Sequence, residues 1–541
     1  MSAVGGGRRQ DMGQAARASG ALGRRFENGE FSVAGDLTPV IIGVGEASER
    51  IDAADYQALS PVELAARAAR AAIDDAGASA ALAPAIELIA AIRQFEVSGP
   101  RAVAPFGRAD NFPRAVGQRL GADPARAVLE PVGGQGPQHL VNELANAIGR
   151  GELGLAMICG SEAISTVRHL TSRGETRDWA EAVGGELEDR GLGPRLSEPE
   201  LSAHGARTPI QIYALYENAR RARRGLDRAD YALEMGRLFA PFTQVAHGNP
   251  HAMSQEVFSA EELAAVTARN RLVADPFPRR LVARDQANQG AAVIIASVAR
   301  ARALGVPADR WVYLHGGADV AERMPLARAD LAAYPAAGLA SRRALELAGI
   351  GAADVALFDL YSCFPVAVFD VRDELGIAAD DPRSLTVTGG LPFFGGAGNN
   401  YSMHAIASMV RGLREEPGAY GFVGANGGFL SKYSTGIYST RPSDWRGFDS
   451  AGLQAEIEAW PAPPPAPDDA LAGTVETYTI DYGREAPAGV VVGRTAAGER
   501  FVAAVEDPDL VGRMIDHDPL AAEIACRREA SGRRVVTSLG Q

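Results

Sequence analysis

The chain has 541 residues, 46% hydrophobic and 22% charged, enough to bury a large core shared among more than one domain. Its 54 basic and 67 acidic residues leave a formal charge of -13, with arginines scattered among acids, which argues against a nucleic-acid partner. Three widely separated cysteines, Cys159, Cys363 and Cys526, show neither disulfide-rich nor metal-type spacing, so a reducing, cytoplasmic setting without a metal is expected.

Residues 1–36 begin rich in Gly, Ala and Arg and have no apolar signal core. They read as a disordered tail, with an Arg-rich targeting segment as the alternative. The longest apolar runs, such as 290–298, fall well short of the roughly 20 residues a membrane-spanning helix needs. A strand is predicted over 38–45 and an Ala-rich amphipathic helix over 61–77. The pattern recurs as a strand at 127–129, the turn Gly133-Gly134-Gln135-Gly136, a helix over 137–149 and a buried strand at 155–159. Such alternation implies a covered sheet with substantial parallel character.

Residues 165–285 break the rhythm and read as an insertion, with helices at 209–223 and 260–271. The first half, 37–300, then closes with a strand at 290–297 and a helix over 298–304. A second half, 301–458, repeats the theme. It has strands at 311–315 and 355–359, helices at 338–348 and 363–375, and a short strand at 385–387. A glycine-rich loop over 389–398 follows, then a helix over 401–414 and strands at 420–424 and 427–430. Residues 459–471 hold a proline-rich linker, stiff and extended by composition. Beyond it, 472–541 reads as a small β-barrel of the OB type, with strands at 475–480, 489–493, 500–504 and 534–537.

Over about residues 37–445 the motif order resembles that of the thiolase superfamily. Pro131-Val132-Gly133-Gly134-Gln135-Gly136 stands where the family has its Cys-Gly-Ser-Gly nucleophile turn. Tyr361-Ser362-Cys363-Phe364 is similar to the His-Asp-Cys-Phe motif of sterol-carrier-type thiolases. The loop Gly395-Gly396-Ala397-Gly398 replaces Gly-His-Pro, and Gly424-Ala425-Asn426-Gly427-Gly428 replaces Cys-x-Gly-Gly. Asp285 to Ala292 resembles the Asp-Gly-Ala-Ala entry to the last strand of the first half. With the proline-rich stretch and β module, the whole resembles thiolase-like proteins with an additional C-terminal domain. The fold so implied is α/β: a duplicated five-layered αβαβα core with an inserted loop domain, plus the small barrel.

The resemblance also implies what is missing. A family nucleophile is a thiolate favoured by a helix N-terminus, but Gly133 or Gly134 stands there. The second cysteine maps to Ala425 and the Gly-His-Pro histidine to Gly396. Only Cys363 keeps a reactive side chain, beside Tyr361 in place of a histidine, so the ordinary two-step condensation cannot run. The backbone donors of Gly133, Gly134, Gly395, Gly396, Ala425, Asn426 and Gly427 remain candidates to hold a thioester carbonyl or phosphate. Asn399, Asn400, Tyr401 and His404 are polar candidates to replace the lost histidine.

Each assignment has a plain structural counterpart. Cys363 suits a core thiol, the glycines suit turns, and Asn400 suits a helix cap. Asn426 suits a tight turn, and Lys432 and Tyr433, placed to reach a pocket, equally suit ordinary surface positions. His139 is more simply a solvated helix residue, and His247 with His251 lacks a third metal ligand.

CoA or acyl-CoA is the implied ligand, bound as substrate rather than as a permanent cofactor. The leading functional expectation is an acyl-CoA-binding acyltransferase of lipid metabolism, with Cys363 accepting or polarising the acyl group. The alternatives are a silent acyl-CoA-binding or scaffold subunit whose C-terminal module docks a partner protein, or a retro-aldol lyase component using Tyr361 or Tyr433. Homodimer and monomer both remain open.

Overall fold

Strand β1 (Pro39–Ser48) and helix α1 (Pro61–Asp75) begin the fold and pack against one another. Gly43 and Gly45 allow this, because a Cβ at either would collide with the carbonyl of Ala72 or Ala68 in α1. Ser60 caps α1 by accepting from the Glu63 amide, and Pro61 follows in the first turn. In this computed structural model residues 35–194 and 198–540 are described, so residues 1–34 of the expected tail lie outside the described part.

The first half continues through α2 (Ser79–Ala85), β2 (Leu88–Ala91), α3 (Phe112–Leu120), β3 (Arg126–Leu129), α4 (Gly136–Gly149), β4 (Leu155–Ala163) and α5 (Ile164–Ser172). A long excursion follows, carrying β5 (Glu188–Asp189), α6 (Pro199–Ala203), α7 (Pro209–Arg224), α8 (Arg228–Gly248), α9 (Ala260–Ala264), β6 (Leu272–Ala274) and β7 (Phe277–Pro278). The chain returns to the sheet as β8 (Asn288–Ser297) and α10 (Val298–Ala303). The second half comprises β9 (Val312–Ala321), α11 (Pro335–Ala348), β10 (Val355–Leu360), α12 (Pro365–Glu374), α13 (Tyr401–Glu415), β11 (Tyr420–Gly427), β12 (Lys432–Ser439) and α14 (Ala451–Ala459).

Strand order reveals the duplication that residue similarity was too weak to establish. The first half runs β3-β2-β4-β8-β1, its third, second, fourth, fifth and first main strands. The second half runs β10-β11-β12-β9, its second, fourth, fifth and first. Its third place is taken by residues 385–387, where the Leu360 amide donates to the Leu385 carbonyl at 2.9 Å. These residues form no strand because the Val387 amide donates to the Asp359 carboxylate instead of a backbone carbonyl.

The two sheets meet edge to edge through β1 and β9, pairing Val40 with Tyr313 and Ile41 with Val312. Helices α4 and α13, each following a third-strand position, share one apolar core with residues of both sheets. Helices α1, α3 and α10 cover the outside of the first sheet, and α11 and α12 the outside of the second. This is the five-layered αβαβα arrangement of the thiolase fold.

Several local expectations need correction. The helix expected over 260–271 ends at Ala264, because the buried Asn270 side chain donates to the carbonyls of Leu263 and Ala265. Helix α8, with Gly236 and Pro241 inside it, went unanticipated. Residues 428–431 turn rather than extend, Gly427 ends β11, and the next strand is β12. Strand β16 (Glu523–Arg528) and helix α15 (Pro508–Asp516) add to the expected C-terminal strands β13 (Ala472–Asp481), β14 (Ala488–Arg494), β15 (Arg500–Val505) and β17 (Arg534–Leu539).

The C-terminal strands close as β13-β14-β15-β17-β16-β13, with β15 and β17 parallel and α15 between β15 and β16. That is an OB-type barrel. The proline-rich segment is no free spacer: the Arg500 amide donates to the Pro464 carbonyl, and the Ala466 amide to that of Arg500. Inside the barrel lie Tyr478, Val491, Phe501 and Ala503, whereas Val490, Val492 and Val502 face outward into the body's core. The β14–β15 face, which OB modules commonly use for ligands, is therefore covered by this chain itself.

Candidate functional site

Four chain segments meet at the N-terminal ends of α4 and α12. Ahead of α4, the Gly133 amide donates to the Asn399 side chain (3.1 Å) and the Ser402 hydroxyl to the Gly134 carbonyl (2.7 Å). Ahead of α12, the Tyr361 amide donates to the Gly424 carbonyl (3.1 Å), and the Cys363 carbonyl accepts from the Ala283 amide (2.9 Å). The glycine-rich loop is tied in one residue further on, where the Gly396 amide donates to the Arg284 carbonyl (2.7 Å). From the end of β11, Asn426 Nδ2 reaches Cys363 Sγ (3.7 Å) and the Tyr213 hydroxyl (2.7 Å).

Tyr361 fills the space beside Gly134, one of the two positions at which the nucleophile was expected. A Cβ built on Gly134 would collide with the Tyr361 phenol and with the Asn426 carbonyl. Gln135 does the same for the adjoining turns, since its Oε1 lies where side chains at Gly133 or Gly427 would be. Gly133 also needs its freedom for a φ of +153°. The glycines at 133, 134 and 427 are thus the counterpart of two larger side chains turned inward, Tyr361 and Gln135. Their packing leaves the Gln135 Oε1 and the Asn426 Oδ1 buried without a hydrogen-bond partner.

Of the residues singled out in the sequence, Cys363, Tyr361, Gly133, Gly134, Asn426 and Gly427 gather at this centre. Ala425 lies in the β11 ladder opposite Ser434, and Gly395 packs on Gln289 and Met253. Asn400 and His404 do not join. They lie one turn apart on the face of α13 that looks at the first sheet. Asn400 abuts Gly160 of β4, and His404 Nδ1 pairs with Glu46 of β1 at 2.6 Å. Asn399 and Ser402 make the contacts to the α4 turn instead. Tyr213, from α7, was not anticipated, because nothing in its local sequence separates it from an ordinary buried tyrosine.

The electrostatics quiet Cys363. Burial pushes its thiol up to about 12, only partly opposed by the polar side chains of Tyr213 and Asn426 beside it. Burial likewise raises the Tyr361 phenol. At neutral pH both are protonated, and the centre offers neutral donors rather than a ready nucleophile or base.

Charge sits in two flanking clefts. One, about 300 Å³, is lined by Arg269, Arg279, Arg280 and Arg284 together with Phe258 and Phe393. Burial and the charges of Arg279 and Arg50 push the Arg284 pKa down; of the two lining carboxylates, Asp285 is taken by Arg168 (2.5 Å), and Glu256 stays beside the arginines. This cleft adjoins the centre through the Ala283–Cys363 and Arg284–Gly396 backbone bonds.

The other cleft, about 690 Å³, is lined by Gln135, His139, Glu143, Asp319 and Lys432 among others. Glu130, His139 and Glu143 offer metal-type atoms within 4.8 Å of one another. Arg190 already holds both carboxylates, at 3.0 and 2.7 Å. Burial opposes a charge on His139, but Asp319, Glu130 and Glu143 outweigh it and raise its pKa to about 9. A protonated imidazole and a bound guanidinium leave that donor set unsuited to a cation.

A duplicated 3-2-4-5-1 sheet with two central helices, whose turns converge on one centre, defines a thiolase-type protein. Residues 452–532 match the family model for the thiolase-like protein type 1 additional C-terminal domain. Among solved structures, the monomeric SCP2-thiolase-like protein type 1 from Mycobacterium smegmatis is 44% identical, with a TM-score of 0.81. That match covers 93% of this chain and 100% of the other. The chain therefore belongs to the SCP2-thiolase-like protein type 1 family.

Two more distant structures share the fold alone. The Ltp2–ChsH2(DUF35) aldolase is 18% identical, covering 74% of this chain and 98% of that one, with a TM-score of 0.54. The dimeric peroxisomal thiolase of Saccharomyces cerevisiae is 15% identical, covering 75% and 98%, with a TM-score of 0.53. No curated protein matches the chain. No helix among the described residues is long and apolar enough to cross a membrane.

Proposed function

We propose that this protein binds a CoA thioester without forming the covalent acyl-enzyme of a condensing thiolase. The observation that carries this reading is the Tyr361 phenol occupying the space beside Gly134 where an acyl-accepting side chain would stand. The arginine cleft beside Cys363 supports the ligand class, because clustered guanidinium groups suit a nucleotide's phosphates. The thioester end would then meet Asn426, Tyr361 and the backbone of the α4 turn.

Calorimetric titration with CoA and acetyl-CoA tests it. Wild type binds, and Arg279→Ala and Arg280→Ala each weaken binding about tenfold, the usual loss for one charge-assisted hydrogen bond. Absence of binding by wild type refutes the proposal.

A second reading, acyl transfer through Cys363, is favoured by one feature: the Asn426 amide lies 3.7 Å from its sulfur, close enough to serve a developing oxyanion. Incubation with labelled acyl-CoA followed by mass spectrometry separates the two. A label on wild type that Cys363→Ala abolishes establishes transfer; none leaves binding alone.

We also propose that the chain acts as a monomer. Strand β5 pairs with the outer edge of β3, covering an edge that would otherwise be free to pair with a second copy. Sedimentation at micromolar concentration tests this, a dimer being the contrary result.

A further inference from the structure

Helix α7 works on two opposite faces. On one, the Tyr213 hydroxyl donates to the Gly428 carbonyl (3.2 Å) and accepts from Asn426 Nδ2 (2.7 Å) and the Leu430 amide (3.3 Å). The Tyr216 hydroxyl donates to the Phe429 carbonyl (3.1 Å). The Tyr213 ring stacks on Phe364, the residue after Cys363, with centroids 4.2 Å apart. Tyr213 thus fixes both the 426–430 turn and the wall beside the thiol.

The other face is held by the barrel. Gln211 donates to Asp481 (2.6 Å), the Leu215 carbonyl accepts from the Thr477 hydroxyl (2.5 Å), and Asn218 donates to the Tyr478 carbonyl (3.0 Å). Arg221 pairs with Asp518 through two bonds, 2.5 and 3.0 Å. Residues 211, 215 and 218 form one stripe of a helix, and 213 and 216 the opposite one. One rigid element therefore links the barrel to the closure over Cys363.

We propose that the C-terminal barrel governs access to the Cys363 centre by clamping α7, with Tyr213 as the residue that closes it. The proposal rests on reading that centre as a ligand site. Buried hydrogen bonds on the barrel face hold α7 down, and each one lost raises the fraction of molecules in which the 426–430 turn has opened. The module then serves its own chain as a gate support.

Thiol labelling with iodoacetamide, mapped by mass spectrometry on the full chain, counts those open molecules. Thr477→Val and Asp518→Asn, which lie outside the centre, and Tyr213→Phe, within it, should each speed Cys363 labelling about two- to tenfold, the effect of one or more lost hydrogen bonds. Thr477→Ser keeps the hydroxyl and should label at the wild-type rate. Cys159, fully buried in β4, serves as the internal reference and should not change.

The proposal fails if Thr477→Val and Asp518→Asn leave Cys363 at the wild-type rate. It fails equally if Cys159 labelling rises in step, which marks general loosening. Should Asp518→Asn not fold, the near-isosteric Thr477→Val decides the matter. No CoA is present in this assay, so its outcome stays separate from that of the CoA titration.

Discussion

The phenol of Tyr361 occupies the space that any side chain at Gly134 would need. The two positions are therefore coupled, and the coupling is measurable. Gly134→Cys alone should destabilise the fold by about 1–3 kcal/mol through overpacking, and Tyr361→His in the same chain should recover part of that loss. Denaturant titration of the two single variants and the double variant checks this. Strictly additive effects would contradict the contact.

Cys363 should be slow to react at neutral pH. Its thiol is pushed up to about 12 by burial, so its alkylation rate should climb roughly tenfold per pH unit through pH 10 without levelling off. Rate against pH for the Cys363 peptide checks this, and a plateau near pH 8 would disprove it.

The buried Glu46 carboxylate of β1 is held by the buried His404 and the part-exposed Arg411 of α13. Burial raises the Glu46 carboxyl, but the His404 hydrogen bond and the charges of His404, His251 and Arg411 bring it from 4.5 down to about 2. A depressed carboxyl stabilises the fold above its unfolded pKa, and that contribution is lost as pH falls from about 4.5 through about 2. Glu46→Gln should cost about 1–3 kcal/mol near neutral pH by weakening the hydrogen bonds to His404 and Arg411, and should flatten the acid limb of the stability curve.

His139 titrates in the opposite sense. Its pKa is raised from 6.5 to about 9, so its contribution is present below pH 6.5 and fades as pH rises through about 9. The side chain is 37% exposed, so salt should weaken the effect. NMR titration should find His139 charged at pH 7.5, and Asp319→Asn should lower its midpoint. An unshifted midpoint near 6.5 would overturn the assignment.

Much of the fold was legible because local chemistry announced it. The Val-Ile-Ile-Gly-Val run, the Ser60-Pro61 helix start and the glycine loops each carry their own periodicity or turn signal. Where Asn270 and Asp359 divert backbone amides or carbonyls with their side chains, local pattern misled: an expected helix was cut short and an expected strand was lost. At the site, the absence of a nucleophile at Gly133-Gly134 was plain in the residues themselves. That Tyr361 fills the gap was not.

The sequence by itself determined the thiolase likeness, the repeated αβ rhythm, the C-terminal β module and the glycines at 133, 134 and 396, because each is a matter of residue type and short-range order. Only the tertiary structure decided which polar side chains meet. Tyr213 and Asn426 stand 213 positions apart and share a 2.7 Å hydrogen bond, whereas Asn400 and His404, close to the glycine loop in sequence, turn to the first sheet. Neighbourhood along the chain is set by covalent order, but neighbourhood at the centre is set by how separate layers pack. No periodicity within a segment reports which distant face it will touch.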